Sequence, residues 1–369
     1  MIPVNEPLIA KNAKKYVTDC IKTGWISSGG KYIQTFEDNF AKFLDVNYAT
    51  TTTSGTASLH LALAALDIGK GDEVILPDHT IISCALSVVY TGATPVLVDV
   101  DKRTGNMDPA EIEKKITKRT KAIMVVHLFG HPADIDPILS LAKKYKLTVI
   151  EDAAQAHGAE YKGKKVGSIG DIACFSFYGN KIITTGEGGM VVTNNKKLHE
   201  KVRLLKNLAH SIKRRFFHEE IGFNYRMTNM QAALGVAQLE EIEKYIRKKR
   251  SIAALYTKGL SSIPYLELPK EDPWTKNVYW MYAITLNSKS PISKDKLRQR
   301  LESLGVDTRD FFFPLHKQPA FRRLGLFKGE KYPVSVSLSN RGFYIPSGLA
   351  LTKKQINTVI EAVKKVFTT

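Results

Sequence analysis

Short apolar, β-branched runs alternate with amphipathic stretches between about residue 50 and residue 195. Buried strands are predicted at four of these runs: Asp72–Pro77, Thr94–Asp99, Ala122–His127 and Leu147–Asp152. Helices are predicted between them at Pro109–Ile116 and Ile138–Tyr145. This alternation is typical of an α/β fold with a mainly parallel sheet flanked by helices. In such sheets ligands bind at the carboxyl ends of the strands, so the polar residues that follow the runs are the candidates for chemistry.

The pattern changes after a long amphipathic helix predicted from Thr228 to Arg250. Three further elements are predicted beyond it: a β-prone segment at Val278–Leu286 and helices at Asp295–Leu304 and Thr352–Phe367. We therefore expect a large domain over residues 1–250 and a smaller α+β domain over residues 251–369. Residues 1–25 are expected to form an N-terminal arm or helix that packs on the smaller domain.

Composition excludes several classes of protein. The net charge is +18, but Lys and Arg are spread along the chain without a nucleic-acid recognition motif, so no nucleic acid is expected as a partner. A positive field favours an anionic substrate instead. No apolar run is long enough to cross a bilayer and no signal peptide is visible, so we expect a cytoplasmic protein. The three cysteines, Cys20, Cys84 and Cys174, are interpreted as reduced structural thiols, and no metal site is expected.

A small-residue turn, Thr53–Ser58, leads directly into an apolar helical run. Such a turn exposes backbone N–H groups at the positive end of the helix dipole, which is the arrangement needed to hold a phosphate. An ordinary Ser or Thr N-cap would have the same residues. This segment alone leaves both interpretations open.

Two further segments contain an acid and an amine. Asp152 ends a predicted strand, where it could pair with a protonated ring nitrogen or simply cap a helix. Lys181 follows the apolar segment Cys174–Phe177 and precedes a glycine-rich stretch, so its amine could be partly desolvated and reactive. Most lysines are solvated surface residues, and Lys181 by itself would be interpreted as one of them.

Four motifs occur in a defined order: Ser-Gly-Thr at 54–56, Asp-x-x-Gln at 152–155, Ser-Phe-x-x-x-Lys at 176–181 and Gly-Glu-Gly-Gly at 186–189. This order resembles the DegT/StrS family of fold-type I aminotransferases, which use pyridoxal phosphate. The resemblance extends over nearly the whole chain, from Gly24–Tyr32 through Gly222–Asn229 to the last helix. It implies that the large domain binds the cofactor.

The resemblance also assigns roles to individual residues. Lys181 would form the Schiff base and move the proton during amino transfer, Asp152 would pair with the pyridine nitrogen, and Gln155 would contact the ring hydroxyl. The phosphate would be held by Gly55, Thr56, Ala57 and Ser176, with Asn224 reaching it from the neighbouring subunit. The resemblance therefore implies a homodimer with shared active sites, and leaves open whether dimers pair into a tetramer.

One position departs from the family pattern. Where an aromatic residue often stacks on the cofactor ring, the chain has Asp78-His79-Thr80-Ile81-Ile82. Either His79 supplies the planar group or Ile81 gives apolar contact only.

The substrate expectation is more specific. The segment Thr308–Pro319 and the tripeptide 179–181 are most similar to family members that aminate C4 of GDP-4-keto-6-deoxymannose with glutamate as donor, although 308–319 could also be a core-packed aromatic loop. The candidate substrate-binding residues are Trp25, Ser28, Arg226, Phe313 and His316. Two alternatives stay open: a dTDP- or UDP-linked 4-keto or 3-keto sugar as substrate, or a non-catalytic sensor that binds the cofactor.

Overall fold

The computed structural model describes residues 1–211, 214 and 216–368. Its α-helices in this part of the chain are α1 (Ala13–Thr23), α2 (Lys31–Leu44), α3 (Gly55–Ala65), α4 (Ser83–Tyr90), α5 (Ile135–Tyr145), α6 (Lys196–Lys206), α7 (Asn229–Glu240), α8 (Ile242–Leu260), α9 (Lys294–Ser303), α10 (Pro319–Arg323), α11 (Pro333–Arg341) and α12 (Lys353–Thr368). Its strands are β1 (Tyr48–Thr52), β2 (Glu73–Pro77), β3 (Thr94–Val98), β4 (Thr120–Val126), β5 (Thr148–Asp152), β6 (Glu160–Tyr161), β7 (Lys164–Lys165), β8 (Ile172–Ser176), β9 (Gly189–Thr193), β10 (Leu266–Glu267), β11 (Thr275–Lys276), β12 (Tyr282–Leu286), β13 (Arg309–Asp310) and β14 (Gly342–Ile345).

The main sheet has the strand order β1-β9-β8-β5-β4-β2-β3 over the described residues. Neighbouring strands from β8 to β3 are parallel, whereas β9 is antiparallel to both β8 and β1. The predicted, mainly parallel sheet is therefore confirmed, and the four predicted strands are present. Because β1, β2, β4, β5 and β8 run in one direction, the segments that follow them meet at one edge of the sheet.

Two predicted helices are wrong in detail. The segment predicted as a helix at Pro109–Ile116 forms two short 3-10 helices, Pro109–Glu111 and Glu113–Lys115. Only Ile112 in this segment is fully buried, so the packing that stabilises a short helix is lacking. The long helix predicted from Thr228 to Arg250 is interrupted at Glu241, whose φ of −103° and ψ of 2° are not helical. The break separates α7, which is buried over most of its surface, from the amphipathic α8.

A second, antiparallel sheet has the order β10-β12-β14-β13. Its core is a separate hydrophobic cluster formed with α8, α9 and α12. Helix α8 contributes to both cores, with Tyr245 in the first cluster and Tyr256 in the second. The chain's first residues lie against this second unit, because Ile2 bridges to Val306 and its N–H donates to Gly305 O at 2.7 Å. We propose that the two clusters are the cores of two domains.

No helix in the described ranges is both long and apolar enough to cross a membrane.

Candidate active site

The turn between β1 and α3 packs tightly against β8. Ser54 caps α3 by accepting a hydrogen bond from the N–H of Ala57 at 3.1 Å. A Cβ on Gly55 would lie 2.7 Å from the Cβ of Ser176, so only glycine allows this approach. The N–H groups of Gly55 and Thr56 belong to the first helical turn, where no carbonyl within the helix can bind them. They are the donors that an anion at this helix start would use.

Hydroxyl groups surround the same helix start. Thr56 Oγ1 donates to Ser83 Oγ at 2.9 Å, which ties α3 to the start of α4. Ser176 Oγ accepts a 3.3 Å hydrogen bond from the N–H of Tyr178 and keeps its own proton available to donate. With Gly55 between them, Thr56 and Ser176 form a small polar cradle of the kind that holds a phosphate. Besides the N-cap of Ser54, this turn therefore presents hydrogen-bond donors that an anion could use.

Asp152 is the last residue of β5 and is almost fully buried. The Cys84 thiol donates to its Oδ2 at 3.0 Å, and the N–H of Ala154 donates to its Oδ1 at 3.0 Å. Burial beside this carboxylate raises the pKa of the Cys84 thiol well above its usual value, so the thiol keeps its proton. The carboxylate is therefore fixed in orientation at the carboxyl edge of the sheet.

Gln155 lies one turn further along the chain, and its side chain is oriented by a strained backbone. Its Oε1 accepts the N–H of Phe129 at 2.7 Å, and Phe129 has a left-handed φ of 54°. Within the described residues no hydrogen bond from Gln155 Nε2 is found, so this NH2 group is available as a donor.

Lys181 is half-buried, and its Nζ lies 3.9 Å from the centre of the Trp280 ring. Burial lowers the pKa of Lys181 to about 8, although the negative charge of Asp152 acts in the opposite direction. His157 packs between the rings of Phe175 and Phe177. Burial and the charge of Lys181 lower the pKa of His157 to about 3, so this imidazole is neutral. Lys181 is thus an amine in equilibrium with its ammonium form near neutral pH.

His79 and His316 are both turned into the protein. His79 is completely buried, with its ring 5.8 Å from Phe311 and 6.4 Å from Phe312. His316 is held by Asp78, which accepts hydrogen bonds from its backbone N–H and from its Nδ1, both at 2.8 Å. These two imidazoles have protein neighbours where a ligand contact was expected.

The remaining substrate candidates fall into two groups. Trp25 and Phe313 are exposed to 60% and 52% respectively. Ser28 and Arg226 line one pocket of about 260 Å³, together with Arg203 and Lys206. The exposed Asn224 accepts a 2.9 Å hydrogen bond from Arg226 Nε.

Sequence reasoning missed several residues at this edge of the sheet. Trp280 contacts Lys181 and belongs to the first hydrophobic cluster although it lies 99 residues further along the chain, and the sequence around it did not indicate this contact. Cys84 was interpreted as a reduced structural thiol, and the sequence did not indicate that this thiol donates a hydrogen bond to Asp152. The small residues Ser83-Cys84-Ala85 at the start of α4 were the signal that could have identified Ser83.

The cradle, the fixed carboxylate and the desolvated amine fit pyridoxal phosphate: they match its phosphate, its ring nitrogen and its aldehyde. A mainly parallel sheet with these groups at its carboxyl edge defines the chain as a fold-type I aminotransferase. Residues 7–364 match the model of the DegT/DnrJ/EryC1/StrS aminotransferase family, and the chain belongs to this family.

Individual relatives are similar over the full length. The chain is 45% identical over 366 residues to the GDP-perosamine synthase of Escherichia coli O157:H7, which covers 99% of this chain and 98% of that protein. The solved structure of DesV from Streptomyces venezuelae has a TM-score of 0.90 and 36% identity, covering 96% of this chain and 94% of that one. The PLP-form structure of Spr1654 from Streptococcus pneumoniae has a TM-score of 0.94 and 25% identity, covering 100% and 98%.

Proposed function

We propose that this protein transfers an amino group from glutamate to C4 of GDP-4-keto-6-deoxymannose, giving GDP-perosamine, with pyridoxal phosphate as cofactor. The observation that supports amino transfer is the half-buried Lys181 amine, whose lowered pKa responds to the charge of the fixed Asp152 carboxylate, at the sheet edge where the cradle also lies. The choice of sugar nucleotide is supported by the full-length similarity to a GDP-perosamine synthase.

Different residues of the chain would bind the cofactor and transfer the proton. Gly55, Thr56, Ala57 and Ser176 would hold the phosphate, and Gln155 would donate to the ring hydroxyl. When bound, the cofactor accepts electron density from the carbon that carries the amino group. Asp152 would keep the ring nitrogen protonated, which strengthens that property. Lys181, once released as a free amine, would move a proton between the substrate carbon and the cofactor carbon.

Apolar contact to the cofactor ring is assigned to Ile81 in place of His79. Ile81 is half-buried and its carbonyl accepts the N–H of Cys84, whose thiol contacts Asp152. A residue that touches the cofactor ring needs a surface that the ring can reach, and His79 has no accessible surface. Ile81 therefore fits a position beside the ring better than His79 does.

The active form would be a homodimer. Asn224 is exposed, and in the described residues it has no hydrogen bond to the Gly55 and Ser176 cradle of its own chain. Large apolar side chains are exposed near the same loop and near the end of α1, among them Ile221 at 89% and Trp25 at 60%. Exposed apolar residues of this size favour a protein interface. The partner's copy of this loop would then complete the phosphate site and bring Arg226 to the substrate.

A half-reaction tests both the reaction and the substrate. Protein loaded with cofactor is treated with glutamate, which should abolish the visible absorption of the lysine-bound cofactor, and excess glutamate is removed. GDP-4-keto-6-deoxymannose should restore that absorption, while dTDP- and UDP-linked 4-keto and 3-keto sugars should not. Restoration only by a dTDP- or UDP-linked sugar would contradict the proposed substrate. Failure of glutamate to change the spectrum would contradict glutamate as donor, and Lys181→Ala serves as the inactive control.

A further inference from the structure

The indole of Trp280 forms the surface against which the Lys181 side chain rests. Trp280 is 4% exposed, and its ring centre lies 3.9 Å from Lys181 Nζ, well inside the range of a cation–π interaction. We propose that Trp280 is a positioning residue, which holds the ammonium form of Lys181 on its ring face whenever that side chain is not bonded to the cofactor. The inference rests on the role proposed for Lys181.

The ring is fixed from several sides. Trp280 Nε1 donates to the carbonyl of Asn180 at 2.7 Å, so the same side chain that faces the Lys181 amine also binds the peptide group just before Lys181. Asn5 Nδ2 donates to that carbonyl at 2.8 Å. The buried Lys249 Nζ donates to the backbone carbonyl of Trp280 at 2.7 Å. Two contacts of one indole therefore hold the peptide group just before Lys181 and the amine at the end of its side chain.

The titratable groups around Lys181 act on its ammonium form in opposite directions, so the Trp280 ring can add to the stabilisation of that form. Asp152 favours the ammonium form, and burial disfavours it. His157 is neutral because burial and Lys181 itself lower its pKa to about 3. Lys249 and Glu6 line a small cavity next to Lys181, and burial lowers the pKa of Lys249 to about 7. Cys84 stays protonated, since burial raises its pKa.

The negative face of the indole and the charge of Asp152 would therefore both oppose the lowering of the Lys181 pKa by burial. Without the ring, burial would push Lys181 further towards the neutral amine. With it, the ammonium form stays accessible near neutral pH. A group that both gives and accepts a proton in one catalytic cycle works best under this condition.

Fluorinated tryptophans test the inference without changing the shape of the site. Fluorine withdraws electron density from the ring face and weakens cation–π attraction while the indole stays nearly the same size. Mono-, di- and trifluorotryptophan are incorporated at position 280 in the full chain. The pKa of Lys181 in the cofactor-free protein is then measured from the pH dependence of its acetylation by acetic anhydride, quantified by mass spectrometry of the Lys181 peptide. Trp274, which is half-buried against Tyr161, receives the same series as the control.

The pKa of Lys181 should fall stepwise with the number of fluorines at position 280, by about half a unit to one unit for the trifluoro variant. The Trp274 series should leave it unchanged. An unchanged or rising pKa in the Trp280 series would overturn the inference, because a purely packing role requires shape alone. The experiment uses neither cofactor nor substrate. It therefore remains interpretable if another lysine proves to bind the cofactor, an outcome that would refute the proposed function separately.

Discussion

Replacing Gly55 with alanine tests the phosphate cradle with a single methyl group. The new Cβ would lie 2.7 Å from the Cβ of Ser176 and 3.4 Å from its Cα. Carbon atoms normally pack at about 3.5–4.0 Å, so roughly 1 Å must be absorbed by β8 or by the start of α3. Both elements are packed in the core, and inserting a methyl group there costs about 1–3 kcal/mol in the free energy of unfolding.

The same displacement should weaken cofactor binding, because the first N–H groups of α3 move with it. We expect the dissociation constant for pyridoxal phosphate to rise about tenfold to a hundredfold, which corresponds to roughly 1.4–2.8 kcal/mol. Fluorescence titration of the cofactor-free protein measures the affinity, and urea unfolding without cofactor measures the stability. Gly69→Ala is the matched control, since a Cβ there would meet only Thr91 O at 3.6 Å, an ordinary contact.

A rescue variant separates the clash from other causes. Gly55→Ala/Ser176→Gly removes the atom that the new methyl group strikes, so it should regain part of the lost unfolding free energy even though the Ser176 hydroxyl is gone. Wild-type affinity and stability in Gly55→Ala, or equal losses in Gly69→Ala, would refute the cradle as described.

Two further predictions concern the amine and the subunit interface. The rate at which the cofactor-free protein binds the cofactor covalently should rise with pH and reach half its maximum near pH 8, because burial lowers the pKa of Lys181 to about 8 and only the free amine attacks. Asp152→Asn removes a charge that raises this pKa, so it should move the midpoint to lower pH and reduce turnover by orders of magnitude. A wild-type midpoint near 10.5 would contradict the effect of burial on Lys181. Mixing Lys181→Ala with Asn224→Ala/Arg226→Ala should restore about a quarter of wild-type activity once subunits exchange, since half of the dimers are then mixed and each regains one site; exchange without recovery would assign the loop to its own chain.

Local periodicity predicted most of the main sheet. The strands β2 to β5 are short apolar runs with clear boundaries, and each was located within two residues. The helix break was harder to predict, because Glu241 is an ordinary helix-forming residue and only the fold shows that α7 and α8 are buried differently. The helix predicted at Pro109–Ile116 was wrong for a different reason: a helical pattern without tertiary packing does not stabilise so short a helix.

In the candidate site, too, local features could be predicted from the sequence and long-range contacts could not. The close approach of Gly55 to Ser176 and the placement of Asp152 follow strand ends and motif order, which the chain displays in sequence. The orientation of His79 does not, because it depends on the rings of Phe311 and Phe312, which pack against it from more than two hundred residues away along the chain. The contact of Trp280 with Lys181 is likewise long-range. Trp280 and Phe311 belong to the same hydrophobic cluster as the main sheet, and no local pattern encodes how such distant segments pack on it.

The most direct test of the account is the identity of the lysine that binds the cofactor. The described part of the chain contains two other lysines whose pKa values are lowered by burial: the buried Lys249, with a pKa of about 7, and the half-buried Lys206. A lowered pKa alone would favour Lys249 over Lys181. However, Lys249 Nζ is bound to the carbonyls of Trp280 and Ser347, and Lys206 Nζ is bound to Glu37 at 3.1 Å.

Borohydride reduction of the holoenzyme, followed by peptide mass mapping, should therefore place the reduced pyridoxyl group on Lys181, and Lys181→Ala should abolish the adduct. An adduct on Lys249 or Lys206 in the wild-type protein would contradict the assignment of this site.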